Sequence, residues 1–126
     1  MVNQEQNRRP IVSIIDDDLS VRESLKMLFE SAEFEAEVFA SAEEFLSAGN
    51  LCKSACLILD VQLPGLSGIE LQNQLRAEGN DNLTVIFITA HPDKQTRHLA
   101  MRGGATRFFS KPFSGTDLLT AVRTSK

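Results

Sequence analysis

Residues 55–75 read ACLILDVQLPGLSGIELQNQL, and the order of chemistry along this stretch decides the fold. The run from Ala55 to Leu59 is short and apolar throughout, as expected of a strand covered on both faces. It ends on a carboxylate, Asp60. Ser67-Gly-Ile-Glu70 then has the form of a capping box, in which Ser and Glu satisfy free amides in the first turn of a helix. The segment is one strand followed by one helix, with an acidic side chain at the strand's carboxyl end.

The same unit recurs outward in both directions. Strands are expected at Ile11 to Ile15, Glu35 to Phe39, Thr84 to Ile88 and Ala105 to Phe109. The first and fourth are as apolar as the central one, while the second alternates with charges and suits a sheet edge. Ser20-Val-Arg-Glu23 and Ser41-Ala-Glu-Glu44 repeat the capping box, and Ser114-Gly-Thr-Asp117 is a looser version. Val21, Leu25, Leu28 and Phe29 form the core-facing stripe of the first helix. The fourth helix is expected from about Pro92 to a C-terminal stop at Gly103-Gly104. Five βα units predict an α/β protein, a (βα)5 three-layer sandwich with a parallel sheet. Right-handed crossovers make the flavodoxin-like strand order 2-1-3-4-5 the natural topology.

A chain of 126 residues with 42% hydrophobic content accommodates one domain with a real core. Residues 1–10 are expected to be a flexible leader and residues 11–126 the domain. The net charge of −4 disfavours binding of nucleic acid or an anionic membrane by this surface. No apolar run approaches the roughly 20 residues that span a bilayer, and the polar start does not have a signal peptide's apolar core. Cytoplasm is therefore the expected location. Cys52 and Cys56 are too isolated from other ligands to form a zinc site, and Cys56 reads as a small core residue.

In a sheet of this kind, ligands bind beyond the carboxyl ends of the strands. The residues there are Asp16, Asp17 and Asp18 after the first strand, Asp60 after the third, Thr89 after the fourth and Lys111 after the fifth. Each has an ordinary explanation alone: Asp18 as turn chemistry, Thr89 as a β-branched strand residue, Lys111 as a solvated charge. Their convergence on one edge points to a shared site. Clustered carboxylates repel one another, and a hard divalent cation relieves the repulsion; oxygen ligands with retained waters suit Mg2+ or Mn2+ rather than zinc. A carboxylate can act as a nucleophile toward phosphorus, in a reaction governed by positioning and charge neutralisation.

These residues resemble the receiver domains of two-component response regulators. The resemblance runs from about Ile11 to about Val122 and rests on IIDDD, LILDVQLPGLSG, VIFITAH and FFSKPF, in that order. FASAEEFL, together with the KPF ending, further resembles the FixJ-like branch, whose members commonly carry a helix-turn-helix output domain. The resemblance implies that Asp60 accepts a phosphoryl group from a sensor histidine kinase in a Mg2+-dependent reaction. Asp17 would bind the metal directly, Asp16 mostly through a metal-bound water, and the backbone carbonyl of Gln62 would complete the protein ligands with Asp60. Thr89 would hydrogen-bond the phosphoryl oxygens, Lys111 would pair with them, and the Lys111–Pro112 peptide would be cis.

Phe108 stands at the family's aromatic switch position, although it can also be read as core beside Phe109. Strand alternation puts those two rings on opposite faces, so only one need be buried. The implied switch moves Thr89 toward the phosphoryl group and lets Phe108 rotate, reshaping the surface of the fourth helix, fifth strand and fifth helix. With no tyrosine hydroxyl at this position, the inward state gains no hydrogen bond. Gln62 and His91 lie two residues past Asp60 and Thr89, where they would tune the phosphate's lifetime, although His91 can equally be an inert loop residue. His98 reads as surface. The chain is not an enzyme in the ordinary sense, because it would catalyse only its own phosphorylation and dephosphorylation.

The fifth helix is expected to end near Lys126, which places any output domain, and with it any DNA contact, outside this chain. The expectation is a receiver of a longer transcription regulator that pairs with its kinase and homodimerises on phosphorylation. The alternative is a stand-alone receiver in a phosphorelay or an interaction module. Two rival classes fit less well. A haloacid-dehalogenase-like phosphatase needs an acid/base Asp where Gln62 stands. A flavodoxin-type cofactor module would find its phosphate repelled by three Asp.

Overall fold

The computed structural model describes residues 9–48, 54–80 and 82–124. Its elements alternate throughout: β1 (Ile11–Ile15), α1 (Leu19–Ser31), β2 (Glu35–Phe39), α2 (Ala42–Ala48), β3 (Ser54–Asp60), α3 (Gly68–Ala77), β4 (Thr84–Thr89), α4 (Lys94–Arg102), β5 (Arg107–Ser110) and α5 (Gly115–Thr124). All strands are parallel and ordered β2-β1-β3-β4-β5. This is the flavodoxin-like arrangement expected from the strand and helix pattern. Residues 1–8 of the expected leader and Cys52 lie outside the described residues. Pro10 already contributes its carbonyl to the Glu35 amide, 2.9 Å away.

Period-two alternation divides the central strands between two cores. Val12, Ile14, Cys56, Ile58, Ile86 and Ile88 pack against α1 and α5, through Leu25, Phe29, Leu118 and Val122. Leu57, Leu59, Val85 and Phe87 face the other way, against Phe45 of α2, Leu71 and Leu75 of α3 and Ala100 of α4. The reduced Cys56 is one of the core residues, and burial pushes its thiol up to about 12.

Two local expectations need correction. Asp18, not Ser20, caps α1: its side chain accepts from the amides of Ser20 and Val21. A carboxylate two residues earlier reaches the free amides first, so Ser20 is inside the helix. Phe108 and Phe109 do lie on opposite faces, but both are half-buried. As the outermost strand on that side of the sheet, β5 leaves neither face fully covered. The Ser67–Glu70 box forms as expected, with both reciprocal bonds present.

Candidate functional site

The carboxyl ends of β1, β3, β4 and β5 converge because parallel pairing stacks the strand ends in register. Asp60 ends β3 one strand over from Ile15, the residue before Asp16. Thr89, fully buried at the end of β4, pairs with Ser110 of β5, and its carbonyl accepts the Lys111 amide at 2.7 Å. The Lys111–Pro112 peptide is cis. Asp16, Asp17 and Asp60 each bring a carboxylate oxygen within 4.8 Å of the others. Asp16 is fully buried and Asp60 is 5% exposed, whereas Asp17 stands open to solvent. Asp18 is not part of this cluster, its side chain being occupied with the α1 cap.

The Lys111 ammonium lies between the two buried carboxylates, 2.8 Å from Asp16 Oδ2 and 3.1 Å from Asp60 Oδ2. The remaining carboxylate oxygens are held by backbone: Asp18 N donates to Asp16 Oδ1 at 2.8 Å, and Gln62 N donates to Asp60 Oδ1 at 2.9 Å. Burial raises the Asp60 pKa above its ordinary value and the Asp16 charge adds to the rise, with the Gln62 amide and Lys111 opposing both. Burial alone would lower the Lys111 pKa. Hydrogen bonds and charge from Asp16 and Asp60 outweigh it and hold the ammonium above its ordinary value.

One lysine cannot fully compensate three carboxylates, so the pocket retains negative charge and hard oxygen donors. That donor set fits a divalent cation of the Mg2+ type and offers nothing soft for zinc or copper. The acidic cluster is thus able to hold a metal ion.

Gln62 and His91 are exposed at the rim, and the His91 amide donates to Thr89 Oγ1 at 3.1 Å. Phe108 leans on Phe87, with ring centroids 6.3 Å apart. His98 is exposed, as its sequence position suggested.

Three supporting residues escaped sequence reasoning. Arg22 Nη1 donates to the Asp16 carbonyl, six residues back, at 2.8 Å. Glu43 Oε2 accepts the Leu66 amide at 2.9 Å, tying α2 to the loop after Asp60. Arg97 lies over the Phe108 ring. Nothing local in the sequence marks the last two, because each contact joins separate elements.

A doubly wound parallel sheet with an acidic, lysine-bridged pocket at its carboxyl edge defines a class of α/β modules that keep their ligand site at the strand ends. The chain belongs to the response regulator receiver domain family, whose match covers residues 12–123. It is 45% identical over 118 residues to nodulation protein W of Bradyrhizobium diazoefficiens, covering 94% of this chain and 52% of that protein. It is 42% identical over 114 residues to transcriptional regulatory protein FixJ of Azorhizobium caulinodans, covering 90% of this chain and 54% of that protein. Among solved structures, response regulator StyR matches with a TM-score of 0.84 at 45% identity, over 93% of this chain and 59% of that one. The FixJ-like resemblance is supported at the level of sequence. The chain spans about half the length of the curated relatives it matches. Among the described residues, no helix is long and apolar enough to cross a membrane.

Proposed function

We propose that this chain is the phosphoacceptor module of a transcription-controlling response regulator, with Asp60 as the acceptor and a sensor histidine kinase as the donor. The observation that carries this reading is the Lys111 ammonium bridging Asp16 and Asp60 within a three-carboxylate cluster that Asp17 completes. In the transfer, an Asp60 carboxylate oxygen forms a bond to phosphorus while the phosphorus–nitrogen bond of the kinase phosphohistidine breaks. The imidazole leaves and takes up a proton.

Asp16, Asp17, Asp60 and the backbone carbonyl of Gln62 would hold Mg2+ (or Mn2+), which supplies neutralisation of the carboxylates and the phosphoryl oxygens. Lys111 then exchanges its contact with Asp60 for a phosphoryl oxygen, and Thr89 turns its hydroxyl toward another. That turn gives up the His91 amide and frees the loop into α4, allowing Phe108 to rotate and the α4–β5–α5 surface to change. Gln62 and His91 flank the route of an attacking water and set the lifetime of the acyl phosphate. The only chemistry catalysed is on Asp60 itself.

In this reading residues 11–126 are the receiver and residues 1–10 a leader, working in the cytoplasm. Phosphorylation promotes homodimerisation, and DNA is reached only through an output domain outside this chain.

Intact mass spectrometry after mixing with Mg2+ and acetyl phosphate tests the assignment. Wild type gains one phosphoryl group and Asp60→Asn gains none. Equal labelling of the variant, or no labelling of wild type, overturns it. An unchanged dephosphorylation rate on replacing both Gln62 and His91 would remove their assigned role.

A further inference from the structure

α4 is held unevenly along its length. It buries only one residue, Ala100, near its C-terminal end. At that end the side chains of α3 grip its backbone. Gln72 Nε2 donates to the Ala100 carbonyl at 2.9 Å, Arg76 Nε to Gly103 at 3.0 Å, and Arg76 Nη2 to Gly104 at 2.9 Å. The fit is close enough that a Cβ on Gly103 would lie 2.5 Å from Gln72 Oε1. The N-terminal end has weaker ties. The Thr89–His91 hydrogen bond secures the loop before it. One turn into the helix, the Arg97 guanidinium lies 5.9 Å from the centroid of the Phe108 ring. Arg97 and Phe108 line a small cleft of about 240 Å³ with Pro92, Asp93, Lys94 and Ser110.

We propose that Arg97 is a positioning residue that latches the switch: its cation–π contact holds Phe108 in the half-exposed resting position and sets how often the unphosphorylated domain visits the active state. The inference rests on the phosphoacceptor reading and extends it to regulation of that site. With three side-chain hydrogen bonds from α3 at one end of α4, and at the other the Arg97–Phe108 ring contact and one hydrogen bond in the preceding loop, the helix is a lever hinged at Gly103. Its free end is released when Phe108 leaves Arg97. Phe108 is packed on its inner side by Phe87 and covered from outside by Arg97, so rotation toward space vacated by Thr89 removes the ring from the cation. A partly exposed cation–π contact shifts such an equilibrium about two- to fivefold.

Neighbouring Arg107 provides an internal control. Its guanidinium lies 5.1 Å from the Phe109 ring, the same chemistry on the opposite face of β5.

The test is a beryllofluoride titration in Mg2+, followed through the amide resonances of Thr89 and His91 in the full chain. Arg97→Gln is expected to bind this phosphoryl mimic about two- to fivefold more tightly, with its free-state resonances displaced toward the saturated positions. Arg97→Lys, which keeps a cation over the ring, and Arg107→Gln are expected to behave as wild type. In a Phe108→Leu background, Arg97→Gln is expected to have no further effect. An unchanged affinity in Arg97→Gln overturns the latch, as does an equal gain in Arg107→Gln or in the Phe108→Leu background. A wild type that does not bind beryllofluoride refutes the phosphoacceptor reading itself, and the latch falls with it.

Discussion

Replacing Lys111 by Met keeps the length of the side chain and removes its charge, leaving two buried carboxylates to face each other. Removing one partner of a buried ion pair costs roughly 3–5 kcal/mol, because the other charge is left uncompensated. Here the Lys111 side chain is 18% exposed and Asp17 opens the pocket to water, so some of that penalty is screened. An expected loss of about 2–3 kcal/mol at neutral pH remains. For a domain of this size that corresponds to a fall in Tm of roughly 8–12 °C.

The sign of the pH dependence separates charge from packing. In wild type the folded-state pKa of Lys111 is raised, so its stabilisation is complete at neutral pH and is lost only as pH rises above the ordinary lysine range. In Lys111→Met the penalty comes from paired carboxylates and shrinks as pH falls and one of them takes up a proton. Mg2+ is expected to stabilise the variant more than wild type by supplying the missing positive charge. Differential scanning calorimetry of both proteins at neutral and mildly acidic pH, with and without Mg2+, measures all of this. A deficit independent of both pH and Mg2+ would show that Lys111 acts through packing, and the electrostatic account of the site would fail.

Gln72→Leu is expected to lie within about 1 kcal/mol of wild type, or above it, in urea unfolding. Gln72 Oε1 is buried without a partner, and the Ala100 carbonyl keeps the Ala105 amide when Gln72 Nε2 is removed; a loss well beyond that range would show the amide to be structurally essential. Glu43→Ala is expected to speed hydrogen exchange at the Leu66 amide. The Glu43 pKa is lowered by that hydrogen bond, so in wild type the protection is present above the ordinary carboxylate range and is lost as pH falls through the depressed value. Asp18→Ala is expected to cost about 1 kcal/mol by uncapping α1, whereas Ser20→Ala costs little, as chemical denaturation of the two variants can distinguish.

The succession of elements was written locally. Apolar runs such as Leu57 to Leu59 can be satisfied only by cover on both sides, and Ser67 and Glu70 close a helix start within four residues, so strand and helix follow from near neighbours. The polar residues at the strand ends were legible for the same reason, since a parallel sheet sends every such end to one edge. What only folding decided is which charge meets which. Lys111 reaches Asp16 across 95 residues, Arg97 finds Phe108 from another element, and Arg76 grips Gly103 and Gly104 from a different helix. These contacts depend on the orientation of packed elements over distances of a few ångströms, and no local pattern encodes that. The cap of α1 shows the limit at short range: the capping-box pattern pointed to Ser20, and the path of the chain out of β1 gave the role to Asp18, which the sequence marked only as turn chemistry.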